Sequence, residues 1–140
     1  MPTDAATGAT AARVLARYAV DTSQADIPAA VLHEAKRSLL NWVGCAVGGS
    51  RHPAGNKALA ALLPFAASEQ CTLLGRHERT DALHAALING LSAHVLDFDD
   101  THLRTLLHPS VPVASALLAV SERQRLSGRN FLCAFIIGVE

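Results

Sequence analysis

Apolar residues recur every three or four positions along most of the chain, and that spacing predicts helices rather than strands. Ala12, Leu15, Tyr18 and Ala19 open the pattern as a short first helix ending before Asp21-Thr22-Ser23. Residues 1–10, small and polar without a period, read as a loose tail. Asp26 followed by Ile27-Pro28 suits a helix start, because proline has no N–H to leave unpaired in the first turn. Val31, Leu32, Ala35, Leu39, Leu40 and Val43 carry an apolar stripe from there to Gly48-Gly49, a stop signal. A loop over 50–55 leads to a helix from Ala58 to Ala67, interrupted or kinked at Pro64. Cys71 to Leu74 is the one plausible strand, and a short one.

Thr80 is a fair N-cap for a helix from Asp81 to about Val95, with Leu83, Leu87 and Leu91 stacked along one side. Asn89-Gly90 within it is a pair that usually signals a turn. Val113 to Leu126 is helical, and Phe131, Leu132, Phe135, Ile136 and Val139 give a last amphipathic helix that stops at Glu140 without a cap or breaker. The fold class is all-α, and the abrupt end leads us to expect a piece of a longer protein.

Composition narrows the partners. Half of the 140 residues are apolar, enough for a core. Twelve basic residues match twelve acidic ones, so no net field gathers nucleic acid or an anionic membrane. No apolar run reaches the roughly 18 residues of a membrane span, and no signal peptide opens the chain, so a soluble cytoplasmic protein is expected. Cys45, Cys71 and Cys133, odd in number and widely spaced, read as buried thiols rather than a disulfide framework or a zinc site.

The chemistry concentrates in His94, Asp97, Asp99, Asp100, Thr101, His102 and His108, followed by Pro109-Ser110. Imidazole titrates near neutrality and a carboxylate can orient it or share its proton, so such a set suits acid-base work. Each residue also has a plainer role: Asp99, Asp100 and Thr101 can cap a turn, His94 can sit satisfied in a core, and His102 can be solvated. Asp97, Asp99 and Thr101 have the spacing of a magnesium-dependent phosphatase motif, but a helical pattern leads in where that motif needs a strand. A metal site of His94, Asp97, His102 and His108 has the right ligand types and the wrong spacing for a helical pair.

Asn89-Gly90, His94, Leu96-Asp97-Phe98-Asp99-Asp100-Thr101, His108-Pro109-Ser110 and the stretch from Gly128 to Glu140 together resemble the N-terminal signature of the MmgE/PrpD family. Ile27-Pro28 and Gly48-Gly49 fall where that family begins and ends an early helix, and Asn41 departs from it where many relatives carry aspartate. The resemblance implies that 11–140 is an incomplete N-terminal helical domain, with an α+β domain to follow. It implies a lyase (dehydratase, decarboxylase or related isomerase) acting on small polycarboxylic acids such as 2-methylcitrate or cis-aconitate, without metal or organic cofactor and as a homodimer. By motif position Asp97, Thr101 and His108 would line the pocket. His108 would move the proton or hold a substrate carboxylate, Asp97 would orient or charge-balance it, and Thr101 would donate a hydroxyl. Asp100 and His102 would stand around them, and Arg104 is the nearest cation. The family's other basic residues and a tyrosine come from later in the chain, so these 140 residues are expected to be inactive alone. The alternative is a truncated helical module that only binds partners.

Overall fold

The structure, a computed structural model, describes residues 5–140. Helix α1 covers Ala5–Asp21. It therefore takes in 5–10, expected as part of the tail, while 1–4 lie outside the described residues. Alanine richness explains the early start, since propensity needs no apolar stripe; over 10–21 little of α1 is buried, Leu15 being 63% exposed and Val20 83%.

Helix α2, Ala29–Gly49, starts immediately after Pro28 as the sequence predicts. Its buried face is Ala35, Trp42, Cys45, Ala46 and Gly49, whereas Leu40 of the anticipated stripe points outward. Helix α3, Pro53–Leu62, begins inside the expected loop because Pro53 serves as a first-turn residue and the His52 ring accepts from Ala54 N. It ends before Pro64, which sits in a single 3-10 turn, Leu63–Phe65, rather than kinking a continuous helix.

Strand β1, Cys71–Thr72, pairs antiparallel with β2, Arg79–Thr80. The second strand went unanticipated because two residues leave no alternation to read. Thr80 belongs to β2, and the N-cap of α4, Ala82–His94, is Asp81. Asn89 does not turn the chain. It is buried in α4, and its amide accepts from Leu74 N at 2.9 Å and donates to Thr72 O at 2.9 Å, pinning the hairpin to the helix.

Helix α5, Ser110–Gln124, starts three residues before the anticipated Val113, and α6 covers Gly128–Val139 with Ser127 as N-cap. The packing of α2, α4 and α5 rests on small residues: Ala46, Ala93 and Ala114 are fully buried. A Cβ on Gly49 would lie 2.0 Å from Ser92 O, so α2 can approach α4 only with glycine there. Trp42 fills this core and donates its indole N–H to Ser115 Oγ at 3.1 Å, while Phe135 and Ile136 close it from α6. The inner face of α4 is Ala85, Ile88, Asn89, Ser92 and Ala93; Leu83, Leu87 and Leu91, the residues that made the helix readable, face outward.

The all-α reading holds apart from the two-residue hairpin. Among the described residues no helix is long and apolar enough to cross a membrane. Cys45 and Cys71 are buried and Cys133 partly so, all three as free thiols. Burial pushes the Cys45 and Cys71 thiols up, with Asp99 and Asp100 adding to the effect at Cys45 and Glu122 at Cys71.

Candidate active site

The clustered histidines and aspartates sit where α4 ends and the chain folds back before α5. His94 is the last residue of α4. Asp97 N donates to His94 O at 2.9 Å, and Asp97 adopts φ 56°, a left-handed conformation that aspartate tolerates better than most residues. Asn41 on α2 donates to Phe98 O at 3.1 Å. Although remote from the motif in sequence, Asn41 thus holds the motif's backbone, a donation an aspartate there could not make when ionised.

The reversal at Asp97 places Asp99 beneath the end of α4 with its side chain 0% exposed. Asp99 Oδ2 lies 3.0 Å from His94 Nδ1 and 3.1 Å from His108 Nδ1, and Oδ1 lies 3.2 Å from His94 Nδ1. The two imidazoles meet edge to face with ring centres 4.8 Å apart. His108 Nδ1 is sealed from solvent and, although 3.1 Å from Asp99 Oδ2, lacks the alignment of a hydrogen bond. Asp97, with its side chain 79% exposed, reaches only to 3.9 Å from His108 Nε2.

The other expected residues are placed differently. Asp100 turns to α5, where Ser110 donates to it from N at 3.3 Å and from Oγ at 2.6 Å. His102 Nδ1 pairs with Thr105 Oγ1 at 2.7 Å, and its backbone N donates to Leu107 O at 2.8 Å, closing a tight loop. Thr101 and Arg104 are exposed in this loop, and neither side chain forms a hydrogen bond or ion pair with the cluster. The structure therefore joins two of the candidates, Asp97 and His108, to two that sequence reasoning set aside as a core histidine and a turn cap, His94 and Asp99. No local signal says which of three neighbouring aspartates will be buried.

An open groove of about 740 Å³ runs from His94 and His108 along Leu87, Leu91, Leu106 and Leu107. A ligand in it meets His108, whose side chain is 24% exposed. Donor atoms of His94, Asp97, Asp99 and His108 all lie within 4.8 Å of one another, a set able by type to hold a divalent cation, with Asp99 in the place the spacing argument gave His102. The Asp97-x-Asp99-x-Thr101 run follows a helix rather than a strand, so the phosphatase motif lacks its scaffold. Asp97 and Asp99 repel a polyanionic ligand. Such a ligand needs cations at hand, and among the described residues no lysine or arginine pairs with the cluster.

A helical scaffold that holds paired imidazoles on a buried carboxylate at the mouth of a groove is suited to proton transfer without a strand-borne nucleophile. Residues 13–140 match the MmgE/PrpD N-terminal domain, and the chain belongs to that family. It is 31% identical over 133 residues to the cis-aconitate decarboxylase-like protein oryM of Aspergillus oryzae, a match covering 90% of this chain and 28% of that protein. Identity to the cis-aconitate decarboxylase of Aspergillus terreus is 29% over 131 residues, 90% of this chain and 27% of the relative. The mouse cis-aconitate decarboxylase is 32% identical over 116 residues, 79% of this chain and 23% of the relative. The chain thus spans about a quarter of the length of these relatives.

Proposed function

We propose that the full-length protein carrying this chain is a cofactor-independent lyase that removes carbon dioxide or water from a small polycarboxylic acid of the cis-aconitate or 2-methylcitrate kind. The observation that carries the reading is His108, which lines the groove and has its Nδ1 3.1 Å from the buried Asp99 carboxylate. In a decarboxylation the bond to the leaving carboxyl breaks, its electron pair passes into the adjacent carbon framework, and that framework takes up a proton. His108 as imidazolium supplies the proton from Nε2; in a dehydration the same nitrogen, unprotonated, removes one from the carbon next to a carboxylate, the freed electron pair forms the double bond as the neighbouring C–O bond breaks, and the hydroxyl takes up a proton to leave as water. Thr101 binds substrate through its hydroxyl, and Asp97 balances the imidazolium. Asp100, His102 and Arg104, which stand apart from the cluster, have smaller parts. The decarboxylase relatives support the substrate class, and the scarcity of cations around the cluster supports a site completed by residues beyond this chain, which alone would be inactive. A homodimer and a cytoplasmic location go with this reading.

The test is an assay of the full-length protein on cis-aconitate and on 2-methylcitrate, with and without a chelator, followed by His108→Ala. Turnover of one substrate that survives chelation and falls by about 10²–10⁴ in the variant is the expected result. Turnover of neither substrate, or an undiminished variant, overturns the reading. Abolition by the chelator would instead assign the four clustered donors to a cation.

A further inference from the structure

We infer that Asp99, with His94 as its second partner, is the positioning residue of this site: it keeps the Nδ1 proton on His108 and so presents Nε2 to the groove. The inference rests on the proton-transfer reading of His108 and says what the buried carboxylate beside that ring does for it.

Three observations separate Asp99 from its neighbours. The first is burial, since the Asp99 carboxylate is wholly enclosed and that of Asp97 is 79% exposed. An enclosed charge acts on a neighbour with little screening, whereas an exposed one is damped by water and salt. The second is distance: Asp99 lies 3.1 Å from His108 Nδ1, near enough to accept from it after a small rotation of the ring although the two are out of line here, whereas Asp97 is 3.9 Å from Nε2, beyond any hydrogen bond.

The third is what the carboxylate is spent on. Asp100 accepts from the backbone N–H and hydroxyl of Ser110, but the hydrogen bonds of Asp99 come from an imidazole and its remaining close contact is another imidazole. A buried carboxylate without backbone donors needs a proton on each nitrogen that faces it. With the proton on Nδ1, a neutral His108 carries its lone pair on Nε2, and a charged His108 offers Nε2–H. Either form directs its reactive nitrogen away from Asp99.

His94 completes the device. It closes α4, so the carboxylate it pairs with is fixed to the end of a helix, and its edge-to-face contact with His108 restricts rotation of that ring. The proton on Nδ1 stays there throughout; only the proton on Nε2 is exchanged with substrate. Asp97 is left free to face the ligand.

Nitrogen-15 NMR of the histidine-labelled chain reads the tautomer directly. Neutral His108 should be predominantly the Nδ1–H form in the unaltered chain, should revert toward the Nε2–H form usual in free imidazole in Asp99→Asn, and should be unchanged in Asp97→Asn. In the full-length lyase, Asp99→Asn should lower kcat by at least about tenfold, up to the roughly 10⁴-fold known where a buried carboxylate fixes a catalytic imidazole, with KM within about twofold. His94→Gln should lower kcat less. An Nε2–H His108 in the unaltered chain overturns the inference without any variant. So does a folded Asp99→Asn chain that keeps the tautomer, since a purely structural carboxylate would alter stability alone. Because the NMR readout needs no turnover, it decides the role of Asp99 even if the full-length protein proves not to be a lyase.

Discussion

Each end of α4 sets an aspartate against histidine, and the two ends use the pair for different purposes. At the N-terminus, Asp81 accepts from the backbone N–H groups of Leu83 at 3.0 Å, His84 at 3.2 Å and Ala67 at 3.2 Å, and its Oδ2 lies 2.6 Å from His84 Nδ1. The His84 side chain is one more partner of a carboxylate already committed to ending a helix. At the C-terminus, Asp99 contacts two imidazoles and its hydrogen bonds involve no backbone donor. Removing the first carboxylate strips a helix of its cap; removing the second frees two rings. The same residue types therefore mark structure where the backbone uses them and mark a site where side chains alone do.

Activity should break the comparison most widely. His108→Gln in the full-length protein should lose about 10²–10⁴ of its turnover, while His84→Gln, at the other end of the same helix, should stay within about twofold of the parent, both measured on the substrate the protein accepts. Equal losses would mean that α4 transmits disorder from either end and that the two pairs are not distinct in role.

Stability should show the opposite ranking. Asp81→Ala removes an N-cap and should cost about 1–2 kcal/mol by urea denaturation, with the His108 tautomer intact. Asp81→Asn should keep the cap, because asparagine caps about as well as aspartate, and lose only what the charge adds. The isosteric exchange that leaves the His108 tautomer untouched at Asp81 is the one that should release His108 when made at Asp99.

Acid sharpens the contrast further. The hydrogen bond from His84 is the largest cause holding the Asp81 carboxyl down, to about 2 from an ordinary 3.8. A carboxyl lowered in the folded state stabilises fully above its unfolded value, and that contribution fades as pH falls from about 4 through about 2. Glu78 and Asp26 are also lowered, Glu78 by hydrogen bonding to its own backbone and Asp26 by Ser23, so the acid slope has several sources. Subtracting the urea midpoints of Asp81→Asn from those of the parent between about pH 5 and pH 2 should isolate a difference that closes as pH falls. A difference independent of pH would show that Asp81 caps without its charge.

Much of this is legible in the sequence. Periodicity places α2, α4, α5 and α6, and Pro28 marks a helix start that the structure keeps. What periodicity misreads is the side that packs. Leu83, Leu87 and Leu91 announce α4 yet face outward, because α2 and α5 approach closely enough to accept only small or polar residues such as Ala85, Ser92 and Ala93. Asn89 shows the same limit: a local turn propensity is overridden by two tertiary hydrogen bonds. At the site, the family resemblance points to Asp97 and His108, which the structure brings within 3.9 Å of each other. It cannot identify Asp99 as the buried member, since that follows from the left-handed turn at Asp97 and the brace from Asn41, one a backbone conformation and the other a contact 57 positions away.

The smallest expected effect is at Asp100, which tests whether adjacency matters. Asp99 and Asp100 are consecutive, yet one faces the imidazoles and the other receives Ser110 at the start of α5. Asp100→Asn retains an acceptor for Ser110 and loses only the charge, so it should cost no more than about 0.5–1 kcal/mol. Its His108 tautomer should match that of the unaltered chain. Asp100 would then belong with Asp81, as a carboxylate that starts a helix, and Asp99 would stand alone among the three as the one whose charge the site uses. If Asp100→Asn shifts the tautomer as far as Asp99→Asn does, the burial of Asp99 depends on how α5 begins, and the two ends of α4 differ in loop order rather than in what their carboxylates contact.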